Sequence, residues 1–279
     1  MHNKIVMITG ANSGMGLATT IELAKLGARV IMVCRSRERG EAALLEAVKQ
    51  SGSEQIELML CDLASLADIR AFAEAFKAKY DVLDVLINNA GVVSIKRAKT
   101  KDGFEIQLGV NHLGHFLLTN LLLEELKRSP QGRIVNVSSA AHKSGDINFD
   151  DTLFPKGFNV WTGYARSKLA NVLFTKELAR RLKGTAITVN SLHPGAVGTH
   201  IGVNRESGFG KTIWKLVRPF FLSALEGSRT AIYLATSDQV ADVNGEYFYK
   251  EKIAPVSKKA SDQQLAEKLW IWSAKQVML

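Results

Sequence analysis

The sequence predicts an α/β fold in which one doubly wound parallel sheet of about seven strands carries helices on both faces. Short β-branched, apolar runs alternate with longer helical patterns, as they do in successive βαβ units. The loops between these segments are short, and no Pro/Gly/Ser-rich linker or internal repeat interrupts the 279 residues. We therefore expect a single domain that spans residues 1–279.

Seven runs are predicted as strands, because most of them are apolar nearly throughout, which is typical of strands covered on both faces. In chain order they are KIVMIT (from Lys4), ARVIMV (from Ala28), IELMLC (from Ile56), LDVLIN (from Leu83), RIVNVS (from Arg133), AITVNSL (from Ala186) and GEYFY (from Gly245). Helical patterns lie between them over residues 17–26, 39–50, 65–79, 103–127 and 162–182.

Two longer connections, residues 140–161 and 198–225, break this alternation. Long irregular segments in a compact domain are usually binding loops or lids. Because both follow strands of a parallel sheet, we expect them to rise over its carboxyl edge and to form an apolar substrate pocket. The candidate walls, for which ordinary core packing is the alternative, are Phe154, Trp161, Phe209, Trp214, Phe220 and Phe221.

Composition and charge restrict the class of protein. Hydrophobic residues make up 46% of the chain, and no apolar run approaches the roughly 20 residues that span a bilayer. The net charge of +9 is spread without a basic block, so we expect no nucleic-acid partner, and a basic surface suits a polyanionic cofactor. No secretory or transit segment precedes the first strand, and Cys34 and Cys61 lack metal-ligand spacing. We expect a cytoplasmic protein with buried thiols and no integral membrane segment.

A glycine-rich loop lies between the first predicted strand and the first helix. It reads TGANSGMG, with Gly10, Gly14 and Gly16 at a spacing that differs from G-x-G-x-x-G. The loop is either a tight turn or a phosphate cradle, in which N–H groups left unpaired at the start of a helix point toward an anion. The short polar side chains beside the glycines are Thr9, Asn12 and Ser13.

The end of the second strand provides an independent test, since an NAD site needs an acidic residue there and an NADP site needs arginine. Arg35 stands 19 residues after Gly16, Arg37 follows it, and no carboxylate precedes Glu38. A guanidinium can bind a 2′-phosphate through two hydrogen bonds, whereas a carboxylate would repel it. The alternative is a solvated arginine cluster. Together with the glycine loop, the pattern favours NADP(H).

Tyr164 and Lys168 are four residues apart on a predicted helix and therefore share one face. A free tyrosine has a pKa of about 10 and is a poor acid–base group at neutral pH, but a nearby ammonium lowers that pKa. Such a tyrosine can donate a proton to a carbonyl oxygen or accept one from a hydroxyl. The same spacing occurs on ordinary solvated helices, so it is informative only together with other motifs.

Five motifs in order resemble those of the short-chain dehydrogenase/reductase family, over essentially the whole chain. They are T-G-x-x-x-G-x-G, N-N-A-G (88–91), the serine after the fifth strand, Y-x-x-x-K and P-G (194–195). The resemblance implies a Rossmann-type fold and a nicotinamide cofactor.

The same resemblance implies four catalytic residues. Tyr164 would be the acid/base, and Lys168 would lower its pKa while holding the nicotinamide ribose. Asn111 would bind a water that links Lys168 to solvent, and Ser139 would hydrogen-bond the substrate oxygen. Neighbouring side chains of a strand point to opposite faces, so only one of Ser138 and Ser139 can face the substrate, and the family pattern favours Ser139.

Cofactor contacts are also carried over from the resemblance. Asp62 would lie beside the adenine, and Thr199 would bind the carboxamide. The full set of expected contacts is Gly10, Asn12, Ser13, Gly14, Met15, Gly16, Arg35, Arg37, Asp62, Leu63, Asn88, Ala90, Gly91, Tyr164, Lys168, Pro194, Gly195, Val197 and Thr199.

Several features resemble the retinol-dehydrogenase-like and carbonyl-reductase branch of that family. They are CR after the second strand, NHLGHF from Asn111, LW near the C-terminus (Leu269, Trp270), and the spacing of Ser139 and Tyr164, which are 25 residues apart, about twice the usual family spacing. The hydrophobic N-terminal anchor of many branch members is missing, and Leu17 stands where close relatives often carry a phosphate-binding lysine. We expect an NADPH-dependent reductase of ketones or aldehydes that acts reversibly as an alcohol dehydrogenase.

Two alternatives stay open: a membrane-surface retinol/retinal dehydrogenase that uses KTIWKLVRPFF (211–221) as an interfacial helix, and a non-catalytic NADP(H)-binding scaffold. His112 and His115 share a helix without a third ligand or a nearby carboxylate, so we expect them to be structural and the protein to bind no metal. Members of the family often pair through two long helices, here 103–127 and 162–182, which implies a homodimer or homotetramer.

Overall fold

The computed structural model describes residues 1–150, 159–195 and 223–279 of the chain. The strands in these ranges are β1 (Ile5–Thr9), β2 (Arg29–Cys34), β3 (Ile56–Leu60), β4 (Val85–Asn88), β5 (Arg133–Val137), β6 (Thr188–Leu192), β7 (Tyr247–Tyr249) and β8 (Lys252–Ile253). They form one sheet in the order β3-β2-β1-β4-β5-β6-β7-β8, in which only β8 is antiparallel to its neighbour. The chain therefore crosses from one side of β1 to the other, which opens a crevice between the carboxyl ends of β1 and β4.

Helices cover both faces of this sheet. They are α1 (Gly14–Lys25), α2 (Arg37–Ser51), α3 (Leu66–Lys77), α4 (Ile106–Leu108), α5 (His115–Leu121), α6 (Leu123–Lys127), α7 (Val160–Arg181), α8 (Ala224–Thr236) and α9 (Gln263–Val277). A π-helical turn, Gly109–Gly114, joins α4 to α5, and a 3₁₀ turn, Ala140–Ser144, follows β5.

The core consists of layers on the two sides of the sheet, and the alternation along β1 shows how the strands serve both. Met7 packs in the cluster that contains Phe76 and Phe116, whereas Val6 and Ile8 pack in the cluster that contains the α1 side chains. All three β1 residues are fully buried. The predicted α/β architecture with a doubly wound parallel sheet is confirmed.

Strand β8 and two helices are additions to the predicted elements. The turn between β7 and β8 consists of Lys250 and Glu251, whose φ angles are 49° and 63°. Sequences usually mark such a hairpin turn with Asn-Gly, and this one does not. Helix α8 begins at a capping box between Ser223 and Glu226, and α9 begins after Asp262, whose carboxylate accepts the Leu265 N–H.

The predicted helix over residues 103–127 is broken rather than continuous. The π-helical turn widens its first part, and Leu122, with φ of −105°, separates α5 from α6. Single π turns inside helices often occur at functional sites, and this one contains Asn111.

Candidate active site

The glycine loop after β1 requires glycine for steric reasons. Gly10 and Gly14 have φ angles of 65° and 52°, in the left-handed region. A Cβ on Gly10 would stand 2.9 Å from Ala90 Cα, and a Cβ on Gly16 would collide with the Gly10 carbonyl oxygen. The loop therefore lies directly against the turn that follows β4.

The start of α1 has the features of an anion site. Its N-cap residue, Ser13, makes no capping hydrogen bond, and the first turn contains no acidic side chain. The N–H groups of that turn therefore lack a side-chain acceptor within the helix, and they carry the positive end of the helix dipole. Asn12 is half-buried, Ser13 is exposed and Met15 is buried beneath the loop. These residues fit the pyrophosphate of a dinucleotide.

The arginines that follow β2 lie at the same edge, because Gly10 N–H bonds to Val33 O at 2.8 Å. Arg35 and Arg37 are both exposed. The Arg37 guanidinium lies 3.4 Å from the Glu41 carboxylate in an exposed pair, which contributes little to stability. Two cations thus stand beside the glycine loop, where a 2′-phosphate would need them.

The predicted contacts after β3 and β4 differ in where their side chains lie. Asp62 is half-buried, and its carboxylate accepts the Ala64 N–H at 3.0 Å and pairs with Lys101 at 3.5 Å. Leu63 is buried. The Asn88 amide is 1% exposed and donates to Thr119 and Asn136 inside the protein, so its side chain is not presented at the sheet edge. Its Oδ1 has no hydrogen-bond partner among the residues that the structure describes.

Ala90 and Gly91 are half-buried in the turn after β4 and face both halves of the site. On the β1 side, the Thr9 hydroxyl accepts the Ala90 N–H at 2.9 Å. On the other side, a Cβ on Gly91 would stand 3.6 Å from both Asn111 Oδ1 and Lys168 Nζ. Cofactor loop and catalytic side chains therefore meet around this turn.

The two serines after β5 point in different directions, as strand geometry requires. Ser138 is buried, and its hydroxyl donates to the Lys168 carbonyl at 2.7 Å, which fixes α7 against the strand. Ser139 is half-buried, and its side chain lies close enough to the Tyr164 phenol to lower the pKa of that hydroxyl. Trp161 is 58% exposed, and its ring centre lies 6.4 Å from that of Tyr164. The structure thus brings Ser139 and Tyr164 together at the carboxyl edge.

Helix α7 begins after Asn159, whose amide oxygen accepts two N–H groups of the first turn. It holds Lys168 one turn beyond Tyr164. The Lys168 side chain is buried, its Nζ donates to Val137 O at 3.0 Å, and it lies 5.6 Å from the centre of the Tyr164 ring. Burial lowers the pKa of Lys168 to about 8.

The pKa of Tyr164 shifts in the direction opposite to the sequence-based expectation. Burial raises it, and the Ser139 side chain lowers it by less. Lys168 Nζ donates its hydrogen bond to the Val137 carbonyl oxygen, and desolvation of the phenolate is the largest cause of the Tyr164 pKa shift. In the protein alone, therefore, the expected lowering of the Tyr164 pKa is wrong.

Asn111 lies in the π-helical turn and is fully buried. Its amide clamps the backbone of Val92, accepting the N–H at 2.7 Å and donating to the carbonyl at 3.0 Å, and it also donates to Ser167 Oγ at 3.0 Å. The predicted relay residue is thus in place between the turn after β4 and α7.

The last predicted contacts follow β6. Pro194 and Gly195 are half-buried, and Gly195 has a φ of 85°. The remaining predicted cofactor contacts, Val197 and Thr199, and the predicted pocket residues Phe154, Phe209, Trp214, Phe220 and Phe221 lie outside the described residues.

One residue that sequence reasoning missed supports the site. Asn89 donates from Nδ2 to Thr9 O at 2.7 Å, and its position in N-N-A-G could have identified it. His142, whose place in the sequence puts it near the substrate side and favours a hydrogen-bonding role within the loop, is fully buried, and its ring bonds through Nδ1 to Ser139 O at 2.8 Å.

The described ranges contain no group of three His, Cys, Asp or Glu side chains arranged to hold a metal ion. Nor does any helix there have the length and apolar character needed to cross a bilayer.

Comparisons with known proteins agree with this geometry. Residues 4–208 match the family model of the short chain dehydrogenases. Retinol dehydrogenase 14 from Homo sapiens is 50% identical over 285 residues, covering 97% of this chain and 85% of that protein. The crystal structure of an uncharacterised protein from Mycobacterium paratuberculosis aligns with a TM-score of 0.81 and 36% identity, covering 99% of this chain and 94% of that one. An actinorhodin polyketide ketoreductase solved with NADPH aligns with a TM-score of 0.71 and 26% identity, covering 89% and 97%.

Proposed function

The chain belongs to the short-chain dehydrogenase family and is similar to its retinol dehydrogenases, and from this premise we propose that it is an NADP(H)-dependent oxidoreductase that reduces ketones or aldehydes and, in reverse, oxidises alcohols. One observation carries the proposal. Ser139, Tyr164, Lys168 and Asn111 converge at the carboxyl edge of the sheet, beside a glycine loop that can bind a dinucleotide.

Different side chains of the protein transfer the proton and orient the substrate oxygen. When bound, NADPH supplies the hydride that the carbonyl carbon receives. Because burial raises its pKa, Tyr164 is protonated at neutral pH and can donate its proton to the carbonyl oxygen. Ser139, beside Tyr164, orients that oxygen. In the oxidative direction Tyr164 accepts the proton.

Lys168 stabilises the negative charge that Tyr164 acquires when it donates its proton, and Asn111 keeps the surrounding backbone in position. Lys168 is protonated at neutral pH, since its pKa is about 8, and its charge favours the phenolate that forms when Tyr164 has donated. Asn111 anchors Val92 and Ser167, so that the turn after β4 stays in register with α7.

The choice of NADP(H) over NAD(H) rests on Arg35 and Arg37. They are exposed after β2, and the nearest carboxylates in sequence, Glu38 and Glu41, both come after them, with Glu41 paired to Arg37 on the exposed helix surface. A guanidinium binds a phosphate better than a ribose hydroxyl. The relative solved with NADPH has the same fold.

The direct test is steady-state turnover of a panel of aliphatic and aryl ketones and aldehydes with NADPH and with NADH. The proposal predicts consumption of NADPH with at least one carbonyl, at a kcat/KM well above that with NADH. If no carbonyl or alcohol is converted with either cofactor while NADPH binds, the protein is a cofactor-binding scaffold.

A second candidate, a retinoid dehydrogenase that works at a membrane surface, is favoured by the identity to the human retinol dehydrogenase. The segment 211–221, on which membrane binding would depend, lies outside the described residues. Vesicle flotation of the full chain and of a variant lacking that segment, together with retinal as the carbonyl in the panel, separates this candidate from the first. Flotation that depends on the segment, with retinal as the best substrate, would favour it.

A further inference from the structure

His115 is a buried titratable side chain at the start of α5 that the proposed mechanism does not use. It is 2% exposed, and both of its ring nitrogens are within hydrogen-bond distance of a partner. Nε2 lies 2.8 Å from Thr9 Oγ1, and Nδ1 lies 3.1 Å from the Asn111 carbonyl oxygen. The ring therefore stands between the strand that carries the glycine loop and the turn that carries a catalytic residue.

The Thr9 hydroxyl determines which of its neighbours receives its proton. Its oxygen accepts the N–H groups of Asn89 at 3.0 Å and Ala90 at 2.9 Å, which occupies both lone pairs. The single hydroxyl proton is then left for His115 Nε2 at 2.8 Å or for Ile87 O at 3.5 Å. The shorter contact is the better hydrogen bond, so Nε2 accepts and carries no proton.

The other nitrogen must therefore be the protonated one. The Asn111 carbonyl oxygen can only accept, so the contact at Nδ1 requires N–H there. The ring is thus held as the neutral tautomer with its proton on Nδ1. Burial, together with the nearby Lys168 charge, favours this uncharged form and lowers the pKa of His115 to about 4.

These contacts complete a closed loop around Gly91. The Thr9 hydroxyl holds the N–H of Ala90, and the Asn111 amide holds both backbone groups of Val92. His115 joins Thr9 to Asn111 and so closes the loop.

We propose that His115 is a positioning residue that couples the glycine loop after β1 to the π-helical turn that contains Asn111. It does so by linking the Thr9 hydroxyl to the Asn111 carbonyl. The Thr9 side of the link sets the position of the turn at Ala90, and with it the affinity for the dinucleotide. The Asn111 side sets the position of the relay residue, and with it the rate of turnover. This inference rests on the proposed function, because it assigns the two sides to NADPH binding and to carbonyl reduction.

Two substitutions separate the two sides of the link. His115→Asn keeps a donor for the Asn111 carbonyl but is too short to reach Thr9. Asn120 of the same helix shows that an asparagine can make such a bond, because its Nδ2 donates to the carbonyl oxygen four residues earlier, Phe116 O, at 2.8 Å. His115→Gln is longer, and its amide oxygen can accept from Thr9 while the bond to Asn111 is lost. The matched control is His112→Asn, since His112 is equally buried three residues earlier in the chain but its Nε2 bonds Ser273 Oγ of α9 at 2.8 Å.

The experiment measures the NADPH Kd by fluorescence titration and kcat with a reactive ketone for all three variants and the wild type. We expect His115→Asn to raise the Kd about tenfold with kcat within about twofold, and His115→Gln to lower kcat about tenfold with Kd within about twofold, each change being that of one lost hydrogen bond. His112→Asn should leave both within about twofold. If the two His115 variants change Kd and kcat alike, or no more than His112→Asn does, the proposal is wrong.

A readout that does not need turnover keeps the inference separate from the proposed function. ¹⁵N NMR of the imidazoles in the cofactor-free wild type and in His112→Asn should show His115 as the neutral Nδ1–H tautomer. An Nε2–H tautomer, or an imidazolium at neutral pH, would overturn the link. A wild type that shows the Nδ1–H tautomer but neither binds NADPH nor reduces any carbonyl would overturn the proposed function and the roles assigned to the two sides, and leave the link itself.

Discussion

Lys168 carries its charge where water does not reach it, and replacing it should therefore make the protein more stable and inactive at the same time. Its side chain is 3% exposed, and its Nζ donates to Val137 O at 3.0 Å. Lys168→Met keeps the length of the stem and removes the charge, so the desolvation cost disappears while the packing of the stem remains.

The size of the effect follows from the pKa of Lys168, which burial lowers from 10.5 to about 8. That lowering of the pKa corresponds to a cost of about 3 kcal/mol for holding the charged lysine in the folded protein. In Lys168→Met, loss of the hydrogen bond to Val137 offsets about 1 kcal/mol of the stability gained by removing that cost. Below about pH 8 both folded and unfolded chains hold the proton, so the wild type bears the full cost there. Between about pH 8 and about pH 10.5 the unfolded chain binds more protons than the folded one, so wild-type stability rises with pH.

We therefore expect Lys168→Met to raise the free energy of unfolding at pH 7 by about 2 kcal/mol and the Tm by about 3 °C, and this gain to shrink above about pH 8 and to reverse in sign near about pH 10.5, where only the lost hydrogen bond remains. The assay is urea unfolding of the cofactor-free protein followed by circular dichroism at both pH values. Lys176→Met is the control, because Lys176 is half-exposed on the same helix and donates to Gly245 O at 3.3 Å; it should change stability by less than about 0.5 kcal/mol. A destabilised Lys168→Met at pH 7, or a difference that does not shrink with pH, would refute the reasoning.

Three further predictions test other parts of the account. Gly16→Ala should abolish NADPH binding in a fluorescence titration, because its Cβ would collide with the Gly10 carbonyl oxygen; unchanged affinity would contradict the close packing of the loop. Arg35→Glu should lower the ratio of kcat/KM with NADPH to that with NADH by about tenfold or more, and an unaltered ratio would remove Arg35 from the 2′-phosphate site. Acidification from about pH 6.5 to about pH 4 should lower the free energy of unfolding. Burial holds the pKa of His112 at about 3 and that of His115 at about 4, so the unfolded chain binds protons that the folded chain does not. Urea melts that do not change over this range would contradict this prediction.

The elements that sequence reasoning located well are those whose signal is local. The first strand is predicted from Lys4 and observed as Ile5–Thr9, and the helix predicted over 162–182 is observed as Val160–Arg181. Each strand is marked by a short apolar run, and the glycine loop, N-N-A-G, Ser139 and P-G each follow the end of one, while Tyr164 lies on the helix that comes after Ser139. In a parallel sheet these ends share an edge, so the order of motifs along the chain was enough to bring Ser139 and Tyr164 together.

The features that sequence reasoning missed depend on packing between distant segments. The π-helical turn around Asn111 arises where that side chain bonds to the backbone of Val92, and no helical periodicity encodes it. The direction of the Tyr164 pKa shift depends on burial, which the four-residue spacing to Lys168 does not determine. Asn88 belongs to a cofactor motif, yet its side chain bonds inside the core because β4 is central in the sheet.

The most direct test of the central claim, that the Tyr164 hydroxyl donates the proton to a carbonyl at the end of this sheet, compares wild type and Tyr164→Phe in NADPH oxidation with a reactive ketone. The account predicts that Tyr164→Phe binds NADPH with nearly the wild-type Kd and that its kcat falls by about 10²-fold or more, since only the proton donor is lost. A variant that still oxidises NADPH at the wild-type rate would show that another group protonates the substrate.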